Sequence, residues 1–236
     1  MRASLPMYDP PHLRAVNDAF WTAIRAALPF EAPQTLTRSD DIWALWTDAA
    51  LLLSQTCSLP YRARLRGRVH LVGTPDYGLP GCPPGHYNST IVTRADTQDI
   101  AGARLAFNDG LSQSGWGNAQ GLGAVAALET GSHAASLQAV VRGDADVAVI
   151  DSHTLRILGL PPELRARGLT QHTPATPYIT SRAEWVAPLR AALAAALDTL
   201  VPAERAALGI RQIVDIPDAE YGALPSVAAP KLPENP

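Results

Sequence analysis

Apolar residues recur along this chain with two different periods, and the change from one period to the other marks its elements. Leu13, Val16, Phe20, Trp21, Ile24 and Leu28 fall on one broad stripe, so residues 12–28 are predicted as an amphipathic helix. Pro10-Pro11 opens that helix and Pro29 stops it. Trp185, Leu189, Leu193 and Leu197 keep register over an Ala-rich run, which predicts a second strong helix over residues 182–200. Ser39 caps a short helix through Trp46, with Asp40 and Asp41 in its first turn. Helical pattern also covers residues 152–159, 164–167, 202–208 and 218–224. Short apolar or alternating runs predict strands at 3–7, 34–38, 49–54, 68–74, 87–94, 169–172, 178–180 and 213–216. The run at 49–54 is continuous rather than alternating, as a buried strand would be, and a polar loop follows from Gln55 to Tyr61.

The stretch from Arg104 to Asp151 organises the rest. Its order is strand, loop, helix, turn, helix, strand. A helix begins with N–H groups that no earlier turn satisfies, and its dipole adds partial positive charge there. The run Ser112-Gln113-Ser114-Gly115 leading into a helix is therefore an anion seat in the making. Ser132 and His133 open the second helix, and Asp151 ends the last strand. In open α/β sheets, ligands lie outside the carboxyl ends of the strands, where all of these fall. Singly, each residue has a plainer use: Ser and Asn cap helices, and Gly makes turns.

Composition narrows the function. Charged residues are 17% of the 236 and the net charge is −3, with no basic run to suggest nucleic acid. An anion would have to be held by local dipoles. No apolar run is long enough to span a membrane. The start, Met1-Arg2-Ala3-Ser4-Leu5, has no apolar signal region, so the chain as written is expected in the cytoplasm, or in the periplasm if a signal has been trimmed. Cys57 and Cys82 sit in separate Pro/Gly-rich loops without a Cys-x-x-Cys pair and are expected as free thiols. The histidines lack metal-ligand spacing, and no metal or cofactor is expected. The Gly-rich run 115–123 is not a dinucleotide fingerprint.

Two irregular crossings, near residues 75–95 and 173–178, bracket the central stretch. They predict an α/β protein of two lobes: residues 1–90 with 177–225, and an inserted lobe over 94–172, followed by a loose tail at 226–236. Five phrases in order carry a resemblance: Leu71-Val72-Gly73-Thr74-Pro75-x-Tyr77, Gly85-His86-Tyr87-Asn88-Ser89, Asn108-Asp109-x-x-Ser112-x-Ser114-Gly115, Thr130-Gly131-Ser132-His133-x-x-Ser136-Leu137, and Gly143-x-Ala145-Asp146-Val147-Ala148-x-Ile150-Asp151. They resemble the phosphate/phosphite/phosphonate-binding family, the substrate-binding components of ABC importers with the type 2 periplasmic-binding-protein fold.

That resemblance implies a venus-flytrap protein clasping a small oxyanion between its lobes, with an ABC transporter permease as partner. Carried onto this chain, it places the anion on Ser112, Gln113 and Ser114, with His133 after the Gly-Ser pair. It adds Tyr87 or its neighbours Asn88 and Ser89, Asp151 as the acid reading the amino end of an aminoalkyl ligand, and contacts from Thr56 or Tyr8. Gln113 stands where a small hydroxyl residue is common in the family. The alternatives are a ligand sensor and a cytosolic enzyme on the same fold. The enzyme would use His133 as acid or base, Asp151 or Asp109 as its partner, and Cys57 or Cys82 as nucleophile.

Overall fold

The computed structural model describes residues 1–230. Strand β1 is Arg2–Ala3, followed by helix α1 (Arg14–Ala27), α2 (Ile42–Trp46) and strand β2 (Leu51–Gln55). Next come a short turn of helix, α3 (Ser58–Pro60), and a π-helical turn over Tyr61–Leu65. Strands β3 (His70–Asp76), β4 (His86–Tyr87), β5 (Ser89–Arg94), β6 (Arg104–Phe107) and β7 (Ala126–Glu129) precede α4 (His133–Arg142). Then follow β8 (Val147–Asp151), α5 (Ser152–Leu158), β9 (Leu164–Leu169), β10 (Thr173–Pro174) and β11 (Tyr178–Thr180). The chain ends with α6 (Val186–Thr199), α7 (Pro202–Leu208), β12 (Gln212–Val214) and α8 (Asp218–Gly222).

Two compact units divide this chain. The first holds Met1–Gly78, Pro83–His86 and Pro174–Ala223; the second holds Leu79–Cys82, Tyr87–Thr173 and, among the described residues, 224–230. The first unit is built on a five-stranded sheet, β1-β2-β11-β3-β12, in which β1 runs parallel to β2 and β11 antiparallel to both neighbours. All five β2 residues are buried, as its unbroken apolar pattern requires. Helix α1 buries Phe20, Trp21 and Ile24, and α6 buries Leu189, Leu193 and Leu197. Asn17 joins the buried face of α1 because its Nδ2 donates to the Tyr8 carbonyl and to Asp9 Oδ1.

The second unit is a five-stranded sheet in the order β7-β6-β8-β5-β9. Strand β6 is parallel to β7 and β8, whereas β5 is antiparallel to β8 and β9. That mixture matters for the site: Ser89, at the start of β5, pairs with Asp151, at the end of β8. The carboxyl ends of β6, β7 and β8 and the amino end of β5 therefore share one edge. Beneath it lie Leu105, Val147, Val149 and Ala119 on one face and Leu137, Val140, Ala148 and Ile150 on the other.

Several expectations change. The run 34–38 forms no strand; it lies extended between Pro33 and the capped helix α2, with Thr37 N–H donating to the Ala3 carbonyl at 2.6 Å. The capping residue of α2 is Asp41, whose Oδ1 accepts from Ala44 N–H, rather than Ser39. Residues 164–167 are strand, not helix, because pairing with β5 outweighs their Arg/Leu helix propensity. The predicted strand at 169–172 is reduced to the end of β9. The helix predicted after the serine run is a 3₁₀ turn over Gly117–Leu122, and four glycines between 115 and 123 explain why no α-helix propagates. Residues 126–129, where no strand is predicted between the two helices, form edge strand β7. Trp46 is buried, while Trp43 and Trp185 are half-buried under Arg64 and Arg182. Cys57 and Cys82, both half-buried, are not bridged.

Candidate functional site

The loop leaving β6 turns back over the sheet edge. Asp109 starts the turn, its Oδ1 accepting from Leu111 N–H and its carbonyl from Ser112 N–H. Ser112 then acts as a cap: its Oγ accepts from Gly115 N–H at 3.0 Å, and its carbonyl receives Trp116 and Gly117 N–H. Gly115 is required at this point, since a Cβ there would overlap the Asn108 side chain. Trp116 anchors the loop by packing on Phe107, ring centroids 4.9 Å apart.

The second loop, from β7 into α4, is fixed by Thr130, whose Oγ1 bonds the Phe107 carbonyl and Ser136 Oγ. Ser132 is the N-cap of α4, accepting from Ala135 N–H. His133 is thereby delivered at the first helical position with its ring toward the serine loop. Ser114 Oγ lies 3.0 Å from His133 Nε2 and 3.4 Å from Ser112 Oγ. Ser112, Gln113 and Ser114 are all buried.

His133 Nδ1 is enclosed and has no hydrogen-bond partner, although part of the residue reaches solvent. Burial pulls the ring's pKa down to about 4, so it is neutral at pH 7. The positive end of α4 disfavours the imidazolium in the same direction. No lysine or arginine is among the described partners of Ser112, Ser114 or His133. Two arginines of this unit are committed elsewhere: Arg104 is forked on Asp146, and Arg94 bonds the Val140 and Ala145 carbonyls. The described partners of the three side chains are dipoles rather than charges.

Ser89 belongs to this constellation as its support. Its Oγ donates to the Ser114 carbonyl at 2.9 Å and accepts from Asn118 Nδ2 at 3.0 Å. Gln113 Nε2 donates to Asn118 Oδ1 at 2.8 Å. Asn118 escaped the sequence reading; its spacing of five from Gln113, one wide turn on, is the signal that could have found it.

The other expected residues are engaged as follows. Asp151 Oδ1 caps α5, accepting from His153 and Thr154 N–H. Asn88 Nδ2 donates to the Pro80 carbonyl, with Oδ1 buried and unpartnered. Tyr87 is fully buried on β4. In the first unit, Thr56 is buried, its N–H donating to the Pro177 carbonyl. Tyr8 meets Tyr77 edge-on at 5.2 Å, and the Tyr77 hydroxyl accepts from Gln55 Nε2.

The acid–base pairing of the enzyme reading is not formed. Neither ring nitrogen of His133 is bonded to a carboxylate: Nε2 meets a serine and Nδ1 meets nothing. Ser114 and His133 are spaced like a nucleophile and its base, but an imidazole with a pKa near 4 is a weak base at neutral pH. Among the described residues no group of three or more His, Cys, Asp or Glu is placed to hold a metal ion. No helix among them is long and apolar enough to cross a membrane.

The mixed α/β sheets and their connections are those of the type 2 periplasmic-binding-protein fold. Residues 56–221 match the family described as "ABC transporter, phosphonate, periplasmic substrate-binding protein", and the chain belongs to that family. Among solved structures it is similar to PhnD1 from Prochlorococcus marinus in complex with methylphosphonate, with a TM-score of 0.71, 13% identity and 94% of each chain covered. It is also similar to a binding-protein component of an ABC phosphonate transporter, PA3383 from Pseudomonas aeruginosa (TM-score 0.68, 14% identity, 94% of this chain and 82% of that one). A third is XAC2383 from Xanthomonas citri bound to chloride ion (TM-score 0.70, 14% identity, 95% and 94% covered). No curated protein matches the chain by sequence.

Proposed function

We propose that this protein binds a small tetrahedral oxyanion, phosphate or a phosphonate, at Ser112, Ser114 and His133, and binds it without chemistry. The observation that carries the reading is the Ser112–Ser114–His133 cluster: two buried hydroxyls 3.4 Å apart and a neutral imidazole 3.0 Å from the second, with one ring nitrogen unpartnered. Hydroxyls and turn N–H groups can donate to an oxyanion and need no counter-charge. The methylphosphonate held by PhnD1 from Prochlorococcus marinus supports the same ligand class here. Asp151, Tyr87, Asn88, Thr56 and Tyr8 stand as further contacts in this reading, and an ABC transporter permease as the partner that receives the ligand.

Calorimetric titration with methylphosphonate, phosphite and phosphate tests it. A hydrogen bond to a charged group is worth about 1.5–3 kcal/mol, so Ser114→Ala should weaken binding about 10- to 150-fold. Phosphorus NMR should return the ligand unchanged after prolonged incubation. Absence of heat with all three anions refutes the reading, and a new phosphorus species refutes its chemistry-free part.

A further inference from the structure

Gln113 sits in the middle of the serine loop, but its side chain is turned away from the two hydroxyls. Nε2 is held by Asn118 Oδ1 at 2.8 Å. The carboxamide lies over Gly117: a Cβ there would come within 3.0 Å of Nε2 and 3.1 Å of Cδ and Oε1. Two independent features, an acceptor and a cleared floor, therefore both favour this orientation of Gln113. The hydrogen bonds run in one direction. Gln113 donates to Asn118, Asn118 donates to Ser89, and Ser89 spends its single proton on the Ser114 carbonyl. Each group uses the end its neighbour needs, so the amide orientation of Asn118 is determined by the chain.

We infer that Asn118 is a specificity-determining positioning residue: by folding Gln113 back onto Gly117 it keeps a carboxamide out of the anion seat. The seat then presents hydroxyls, which can both donate and accept, beside one imidazole. Such a lining tolerates an oxyanion that still carries a proton as well as one that does not. A carboxamide nitrogen swung into the same space would add a donor-only group and reduce the room for a substituent on phosphorus. The inference rests on the oxyanion reading of this seat and adds to it the reason the loop tolerates a glutamine.

The test is the ratio of phosphate to methylphosphonate affinity, measured by calorimetry in the full chain for wild type, Asn118→Ala, Gly117→Ala, Gln113→Ala and the Gln113→Ala/Asn118→Ala pair. Releasing or displacing Gln113 should shift that ratio about two- to tenfold toward phosphate in Asn118→Ala and Gly117→Ala, the size of one net hydrogen bond gained by the smaller, more polar anion. The shift should vanish when Gln113 is also removed, since Asn118 acts through it. A purely structural role would lower both affinities together, leave the ratio unchanged and overturn the inference. So would an equal shift with Gln113 absent. The Gln113 carboxamide resonances give a second readout that needs no ligand. Asn118→Ala should move them toward solvent-exposed positions, and unmoved resonances overturn the inference. If wild type binds neither anion, the oxyanion reading fails, and the resonances still decide whether Asn118 holds Gln113.

Discussion

Acidification should destabilise the second unit through one residue, His133. Its ring is neutral in the folded state with a pKa of about 4, because it is buried. In the unfolded chain an ordinary histidine titrates near 6.5. Between these values the unfolded state carries a proton that the folded state refuses, so stability rises with pH across the window. The contribution is complete above about pH 6.5 and is lost progressively as pH falls toward 4. Between pH 7.5 and 4.5 the loss from this group is about 2.5 kcal/mol. Asp146, held down to a pKa of about 2 by the Arg104 guanidinium, loses its own contribution only at lower pH and leaves the window clean. Urea unfolding of wild type and His133→Gln, read by hydrogen exchange on peptides from β6 and β8, isolates the second unit. Phosphate- and sulfate-free buffer keeps the seat empty. The wild-type stability should fall more steeply with acid than that of the variant, by roughly the stated amount. Contributions common to both proteins cancel in the comparison. Parallel pH profiles would refute the burial of a neutral ring, and with it the dipolar character of the seat.

Four further outcomes follow from the same geometry. Gly115→Ala forces a Cβ onto Asn108 and should cost about 1–3 kcal/mol in denaturant melts while weakening anion binding more than tenfold, about one hydrogen bond to a charged group; near-wild-type values for both would show that the turn can relax. Asp151→Ala removes the α5 cap and should lower stability by about 1 kcal/mol, whereas Asp151→Asn, itself a good cap, should not. If Asp151 also reads a ligand amine, Asp151→Asn should weaken 2-aminoethylphosphonate but not methylphosphonate in calorimetric titration, and equal effects would remove that role. Thr130→Val breaks the bonds to Phe107 and Ser136 and should loosen the α4 start, seen as faster amide exchange at Ala134 and Ala135.

How much of this was legible in sequence depended on whether a residue's partner was local. The stripe of α1 and the register of α6 are local repeats, and both helices form where the pattern puts them. Ser132, the N-cap of α4, is likewise announced by its neighbours. Elements decided by distant pairing were misread. Residues 164–167 carry a helical composition yet are strand because β5 offers them a ladder. Residues 126–129 take their extended form from β6, more than fifteen positions earlier. The family phrases led to Ser112, Ser114 and His133, whose side chains do meet. The same phrases could not show that Ser89 faces Ser114, since that follows from the antiparallel register of β5 against β8. Asn118 was missed for a different reason: it lies in no motif, and only the folded turn brings its amide between Gln113 and Ser89.

If the proposed oxyanion reading holds, an uncharged seat answers a specific problem. Enclosing a guanidinium or ammonium beside the anion would cost several kcal/mol per ion in lost hydration, and the attraction regained depends on near-ideal geometry. Dipoles already fixed by folding avoid that loss. Here the fixing is done before any ligand arrives: Ser112 is committed to Gly115, Ser114 is held through its carbonyl by Ser89, and His133 is set by the start of α4. What remains unspent is one imidazole nitrogen and the free capacity of two hydroxyls. On that reading, a seat that satisfies its own scaffold and leaves its remaining valences to one small acceptor will discriminate by shape more than by net charge or proton count. Sulfate, of similar size but without an exchangeable proton at neutral pH, is therefore the informative competitor against phosphate.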